Sequence, residues 1–161
     1  MATQFSNLGK RVALLGVFWG LLVMSVAAHA GSIVYGASKG PAIDGFDAVA
    51  YFTGGAPAEG DARYTHEWNG ATWRFVSPEN RDRFKAEPER YAPQYGGYCA
   101  YAMAHGSFAS GDAKRWRIVD GKLYLNTNRF AQALWDNNIP KRVVEADGHW
   151  PLKKVELEAA P

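Results

Sequence analysis

Two dipeptides, Asn69-Gly70 and Asp120-Gly121, limit what this chain can fold into more than any other feature. Both central residues of a type I′ turn need φ > 0, which Asn, Asp and Gly tolerate best, so each dipeptide predicts a two-residue hairpin loop. The flanks agree: residues 64–68 and 71–75 surround the first turn, and residues 116–119 and 122–125 the second. Two-residue loops also set the register. Trp68 then faces Ala71, His66 faces Trp73 and Tyr64 faces Phe75, which puts six side chains on one core-directed face and leaves Thr65, Glu67, Thr72 and Arg74 for water. By the same count Trp116, Ile118, Leu123 and Leu125 form the apolar face of the second hairpin.

Helices are marked between and after the hairpins. Ser77-Pro78 reads as a capping residue followed by proline at the first helical position, with Phe84 as the anchor to the sheet and an end near Pro88. A short helix is predicted over 98–105, entered through Gly96-Gly97 and left through Gly106. Another starts at Thr127 or Asn128, carries Phe130 and Leu134 one turn apart and stops within 137–140, and a last short one covers 141–146. The apolar stretch from Asp47 to Phe52 has the pattern of a buried strand or extended segment. Small residues over 31–42 predict a flexible leader; 43–151 reads as the domain and 152–161 as a C-terminal tail. No internal repeat is read. The sum is an α+β class, two β-hairpins forming a small antiparallel sheet packed against three or four short helices.

With 47% hydrophobic and 14% aromatic residues among 161, the chain has material for a core and is not disordered in the main. Its N-terminus predicts a secretory signal peptide over 1–30: Lys10-Arg11, an uncharged run over 12–26, then Ala28-His29-Ala30. That run is about 22 Å as a helix against about 30 Å of hydrocarbon, short for a permanent span. Cleavage after Ala30 and a periplasmic or secreted location are the expectation. Without Lys10 and Arg11 the charges stand at 16 basic against 16 acidic, which lacks the basic surplus of a nucleic-acid partner. The lone Cys99 excludes an intramolecular disulfide and a cysteine-rich zinc site.

Residues 75–91 resemble the core signature of the YHS domain family: an aromatic, a Cys-Ser, a second Cys three residues after the Ser, a Phe four later, then Pro-Glu-x-Tyr. Phe75, Ser77, Phe84, Pro88, Glu89 and Tyr91 stand at matching positions, and Asp47-Ala48-Val49-Ala50 is similar to the family's Asp-Pro-Val-Cys opening. The likeness spans about 44–91, and the run on to about Trp150 resembles exported single-domain members carrying Tyr-Gly-Gly-Tyr-Cys-Ala. Family members accompany copper-transporting ATPases and some oxygenase subunits, so the resemblance implies transition-metal binding. At the three positions where the pattern has Cys, however, this chain has Ala50, Val76 and Asn80. The family's ligand set does not carry over; the scaffold does.

Cys99 becomes the candidate centre, because the start of a helix favours a thiolate. Met103, four residues on, shares its helical face, and a thiolate with a thioether suits Cu(I), with His66 or His105 to complete the site. His105 falls about 120° off that face at 100° per residue. Cys and Met are equally at home in a core. His66 either bonds a loop carbonyl or a carboxylate such as Asp44 or Asp47, or lines a pocket with Tyr98 or Cys99. Tyr98 and Tyr101, with Asp47, are the candidate pocket residues, alternatives to an aromatic core and a simple Asp-Gly turn. No Ser-His-Asp order, phosphate loop or His-Glu-x-x-His run occurs. The reading is an exported non-catalytic domain binding a small ligand or a soft metal, copper above all, near Cys99. The alternatives are a thiol-dependent redox protein using Cys99 and an interaction module without metal.

Overall fold

The computed structural model describes residues 32–160. The signal-peptide reading therefore lies outside the described residues. Both predicted turns form: Asn69, Gly70, Asp120 and Gly121 all have φ between 50° and 73°. Strand β1 (Asp61–Trp68) pairs with β2 (Ala71–Phe75), and β3 (Asp112–Val119) with β4 (Lys122–Asn126). His66 faces Trp73 and Trp68 faces Ala71, as the turn arithmetic requires. Tyr64 does not face Phe75. The Asp61 carboxylate accepts the Arg63 N–H at 2.8 Å and folds residues 62–64 out of the ladder, so Phe75 pairs with Asp61 instead. In the second hairpin Trp116 faces Leu125 and Ile118 faces Leu123.

The class is α+β, as the pattern implied, yet the hairpins remain two separate two-stranded sheets. An isolated parallel bridge pairs Cys99, just before a short helix at Ala100–Ala104, with Leu125 of β4. Six α-helices accompany the hairpins among the described residues: α1 (Ala50–Thr53), α2 (Pro78–Ala86), α3 (Pro88–Tyr91), α4 (Ala100–Ala104), α5 (Arg129–Asp136) and α6 (Ile139–Glu158). Ser77 caps α2 by accepting the Asn80 N–H at 3.2 Å, and Asn128 caps α5 by accepting the Ala131 N–H at 2.9 Å.

Four expectations are corrected. The segment after Asp47 is a turn and the short helix α1, because the Asp47 carboxylate takes the Val49 and Ala50 N–H groups and caps a helix where a strand was expected. The leader is part of the core: Ile33 and Val34 are buried, and the Tyr35 N–H bonds the Gly96 carbonyl at 2.8 Å. The tail belongs to α6, which runs 20 residues through Pro151. In α5 the buried face is Ala131 and Trp135, whereas Phe130 is 73% exposed. No described helix is long and apolar enough to cross a membrane.

A repeat does exist, contrary to the sequence reading. Each unit opens with a left-handed turn (Ile43 and Asp44; Tyr95 and Gly96), followed by a short helix, α1 or α4. Equivalent backbone bonds follow, Asp47 N–H to Ala58 O and Cys99 N–H to Ala109 O. Next comes a bulged hairpin opened by an Asp that accepts from the N–H two residues on (Arg63; Lys114), and then a capped helix. Phe84 and Trp135 sit at equivalent positions and are both fully buried. Asp47 and Cys99 lie 52 positions apart, Asp61 and Asp112 51 apart. The first unit builds one aromatic core around Trp73, Phe75 and Phe84, into which Leu123 and Leu125 also reach. The opposite face of β4 sends Tyr124 into a second core with Tyr95, Met103 and Trp135.

Candidate functional site

Asp47 is the most heavily bonded side chain in the first unit and is wholly buried. Its Oδ1 accepts the N–H groups of Val49 (2.7 Å) and Ala50 (3.2 Å); its Oδ2 accepts the Val76 N–H (2.9 Å) and the Asn80 amide (2.7 Å). Ala50, Val76 and Asn80 are the three positions where the sequence pattern had cysteine elsewhere. Here all three address one carboxylate. Four donors saturate it, so Asp47 serves to tie α1 to the start of α2 and has no lone pair spare for a pocket.

Cys99 occupies the equivalent position in the second unit and is 1% exposed. Its N–H is taken by Ala109, and the Tyr101 N–H goes to the Asn126 Oδ1 at 3.2 Å, so the first turn of α4 does not aim free donors at the sulfur. Cys99 directly precedes α4, which is only five residues long. The thiol lies 3.7 Å from the same Asn126 Oδ1, which it faces as a donor. Asn126 is wholly buried, and its Nδ2 has no partner among the described residues. Met103, also buried, follows on the next turn of α4.

The proposed histidines lie elsewhere. His66 packs edge-on against Phe84, ring centres 6.3 Å apart, in the first core. Neither Asp44 nor Asp47 is its partner: Asp44 faces the Tyr35 hydroxyl, and Asp47 is saturated. His105 is exposed, its ring 4.8 Å from that of Tyr101 and its Nε2 3.5 Å from Arg142 Nη1. Arg142 also lies over the Tyr101 ring at 5.2 Å. Tyr98 is held between Tyr35 and Phe108. Asp47, Tyr98 and Tyr101 thus have three different sets of neighbours. Among the described residues no three His, Cys, Asp or Glu side chains cluster as metal ligands.

A concave feature lies elsewhere. A cleft of about 280 Å³ opens between the first hairpin turn, the segment after α3 and the outer half of α6. Trp68, Trp73, Tyr95 and Trp150 line it with aromatic rings, Ile33 and Val34 add aliphatic surface, and Asn69, Glu89, Gln94 and Lys154 line it as polar groups. The Trp73 indole N–H donates to the Trp68 carbonyl at 3.0 Å, which holds that wall. Tyr95 has φ 54° and is kept there by its hydroxyl, which donates to Asp147 at 2.9 Å on α6. Burial, with the Asp147 carboxylate alongside, pushes the Tyr95 hydroxyl far above the usual tyrosine range. Gly96 is obligatory: its φ is 62°, and a Cβ would overlap the Ile33 carbonyl oxygen.

Sequence reasoning missed Trp150 and Lys154 as site residues because it ended the last helix at 146, and it read Glu89 only as a position of the family signature. The signal was present: Val143, Ala146, Trp150 and Leu157 recur at helical spacing, and Pro151 masked it. No family model, no curated protein and no solved structure matches the chain.

Proposed function

We propose that this chain is an exported, non-catalytic ligand-binding domain on a YHS-like scaffold, and that its ligand occupies the tryptophan cleft. One observation carries the reading: three indoles and a tyrosine line one concave space together with the polar side chains of Asn69, Glu89, Gln94 and Lys154, so aromatic surface and groups that could orient a ligand meet in one cleft. The scaffold part rests on the residues matching the family signature and on the convergence of Ala50, Val76 and Asn80 upon Asp47. The test is a compound screen on the exported protein followed by indole N–H resonances. Trp68 and Trp150 should shift with a hit while Trp116 and Trp135, outside the cleft, stay still; uniform or absent shifts across a broad library overturn the reading.

A second reading keeps a soft metal or small ligand at Cys99, supported by the buried, unpartnered Asn126 Nδ2 beside the thiol. With His66 and His105 engaged elsewhere, copper would meet Cys99 and Met103 alone, as Cu(I) on sulfur donors. Competition for Cu(I) against a chromogenic chelator decides it. Cys99→Ser should abolish binding and Met103→Leu should weaken it; unchanged affinity in Cys99→Ser ends this reading.

A further inference from the structure

We infer that the tryptophan cleft takes a compact zwitterion, with an ammonium group held by Glu89 and the aromatic faces and a carboxylate held by Lys154; this rests on the cleft reading above. The argument begins with which charges are left over. On α3 the neighbouring acid Glu87 pairs with Arg90 at 3.0 Å, but Glu89, which lines the cleft, has no ion-pair partner among the described residues. On α6 Lys153 pairs with Glu156 at 2.7 Å, whereas Lys154, which lines the cleft, reaches Glu158 only at 3.9 Å. One acid and one base, carried by different elements, thus stand on the same cleft without a close partner. The same cleft is lined by Trp68 and Trp150, and indole faces attract cations and accept flat apolar groups.

Size narrows the class. About 280 Å³ lies at the lower edge of the roughly 300–1,000 Å³ of small-molecule sites, which fits a ligand the size of an amino acid better than a nucleotide or an oligosaccharide. Opposite charges on two walls would orient such a molecule, because reversing it sets like charges together.

Calorimetric titration with four probes built on one phenyl ring tests this: L-phenylalanine, phenethylamine, 3-phenylpropionate and benzyl alcohol. Phenylalanine should bind tightest. Glu89→Gln should weaken phenylalanine and phenethylamine by about 2–5-fold and spare phenylpropionate, as expected for partly exposed ion pairs. Lys154→Met should do the reverse. Both residues are at the surface, so folding is not at risk. If benzyl alcohol binds as well as phenylalanine, or either variant leaves its partner probes unchanged, the zwitterion class is overturned while the cleft stands. If none of the four binds, the class is overturned too, and the indole shifts in the broader screen decide the cleft separately.

Discussion

Asp47 and Cys99 occupy one structural position in two units and satisfy it by different chemistry. In the first, a carboxylate receives four donors; in the second, the sulfur receives none and Asn126 takes over the Tyr101 N–H, the counterpart of the Val49 N–H. Replacing Asp47 by Ala therefore strands buried donors, each costing about 1–3 kcal/mol. The expected loss is at least about 3 kcal/mol in urea melts, and a loss below about 1 kcal/mol would show that the network contributes little. Trp73→Ala should cost about 3–5 kcal/mol by the same measurement, since the ring is 1% exposed and packs on Phe84 at 4.8 Å. Cys99 was the obvious residue to single out in sequence. Its partner Asn126 was not, because Asn126-Thr127-Asn128 offers two amides for one helix cap and only the backbone path shows that the first turns inward.

At the scale of elements, the local signals with a strong backbone cause were legible. Asn-Gly, Asp-Gly, Ser-Pro and Asn128 all did what their φ preferences and caps dictate. What failed depended on distant parts. The bulges need Asp61 and Asp112 to bend their own strands, and the repeat is hidden because the units share geometry more than residue identity. Helix α6 is the clearest case: proline has no N–H to donate to the preceding turn and its ring crowds that turn's carbonyl, yet packing of Trp150 against Tyr95 and of Leu157 against the first core carries the helix past Pro151. Truncation after Pro151 should thus lower stability by about 1–2 kcal/mol, the scale of one partly buried Leu. Leu152, 75% exposed on the same turn, should tolerate Lys within about 0.5 kcal/mol. Equal denaturation midpoints for truncated and full-length protein would return 152–161 to the status of a tail.

For the whole molecule, the two cores share β4, with Leu123 and Leu125 in one and Tyr124 in the other, so the units should melt together. Tyrosines sit at the joints. Tyr51 of the first unit donates to the Ala113 carbonyl of the second at 2.9 Å, and Tyr95 of the second donates to Asp147 of α6. Burial, foremost, raises both hydroxyls well above the ordinary value of 10.0, with Asp112 and Asp147 adding to it respectively. The sign of the pH effect follows. Above about pH 10 the unfolded chain releases these protons while the native state keeps them, so the native state binds more protons and stability falls as pH rises, by up to about 1.4 kcal/mol per pH unit for each tyrosine. Below that pH both states are protonated and the contribution is complete. Stability should accordingly be flat with respect to these groups near neutrality and decline steeply above about pH 10. Tyr51→Phe and Tyr95→Phe should each lower stability at neutral pH through the lost hydrogen bond and each flatten the alkaline decline by one proton's worth. Urea melts between pH 8 and 12 measure it, and an alkaline slope unchanged in both variants would place the linked protons on other groups.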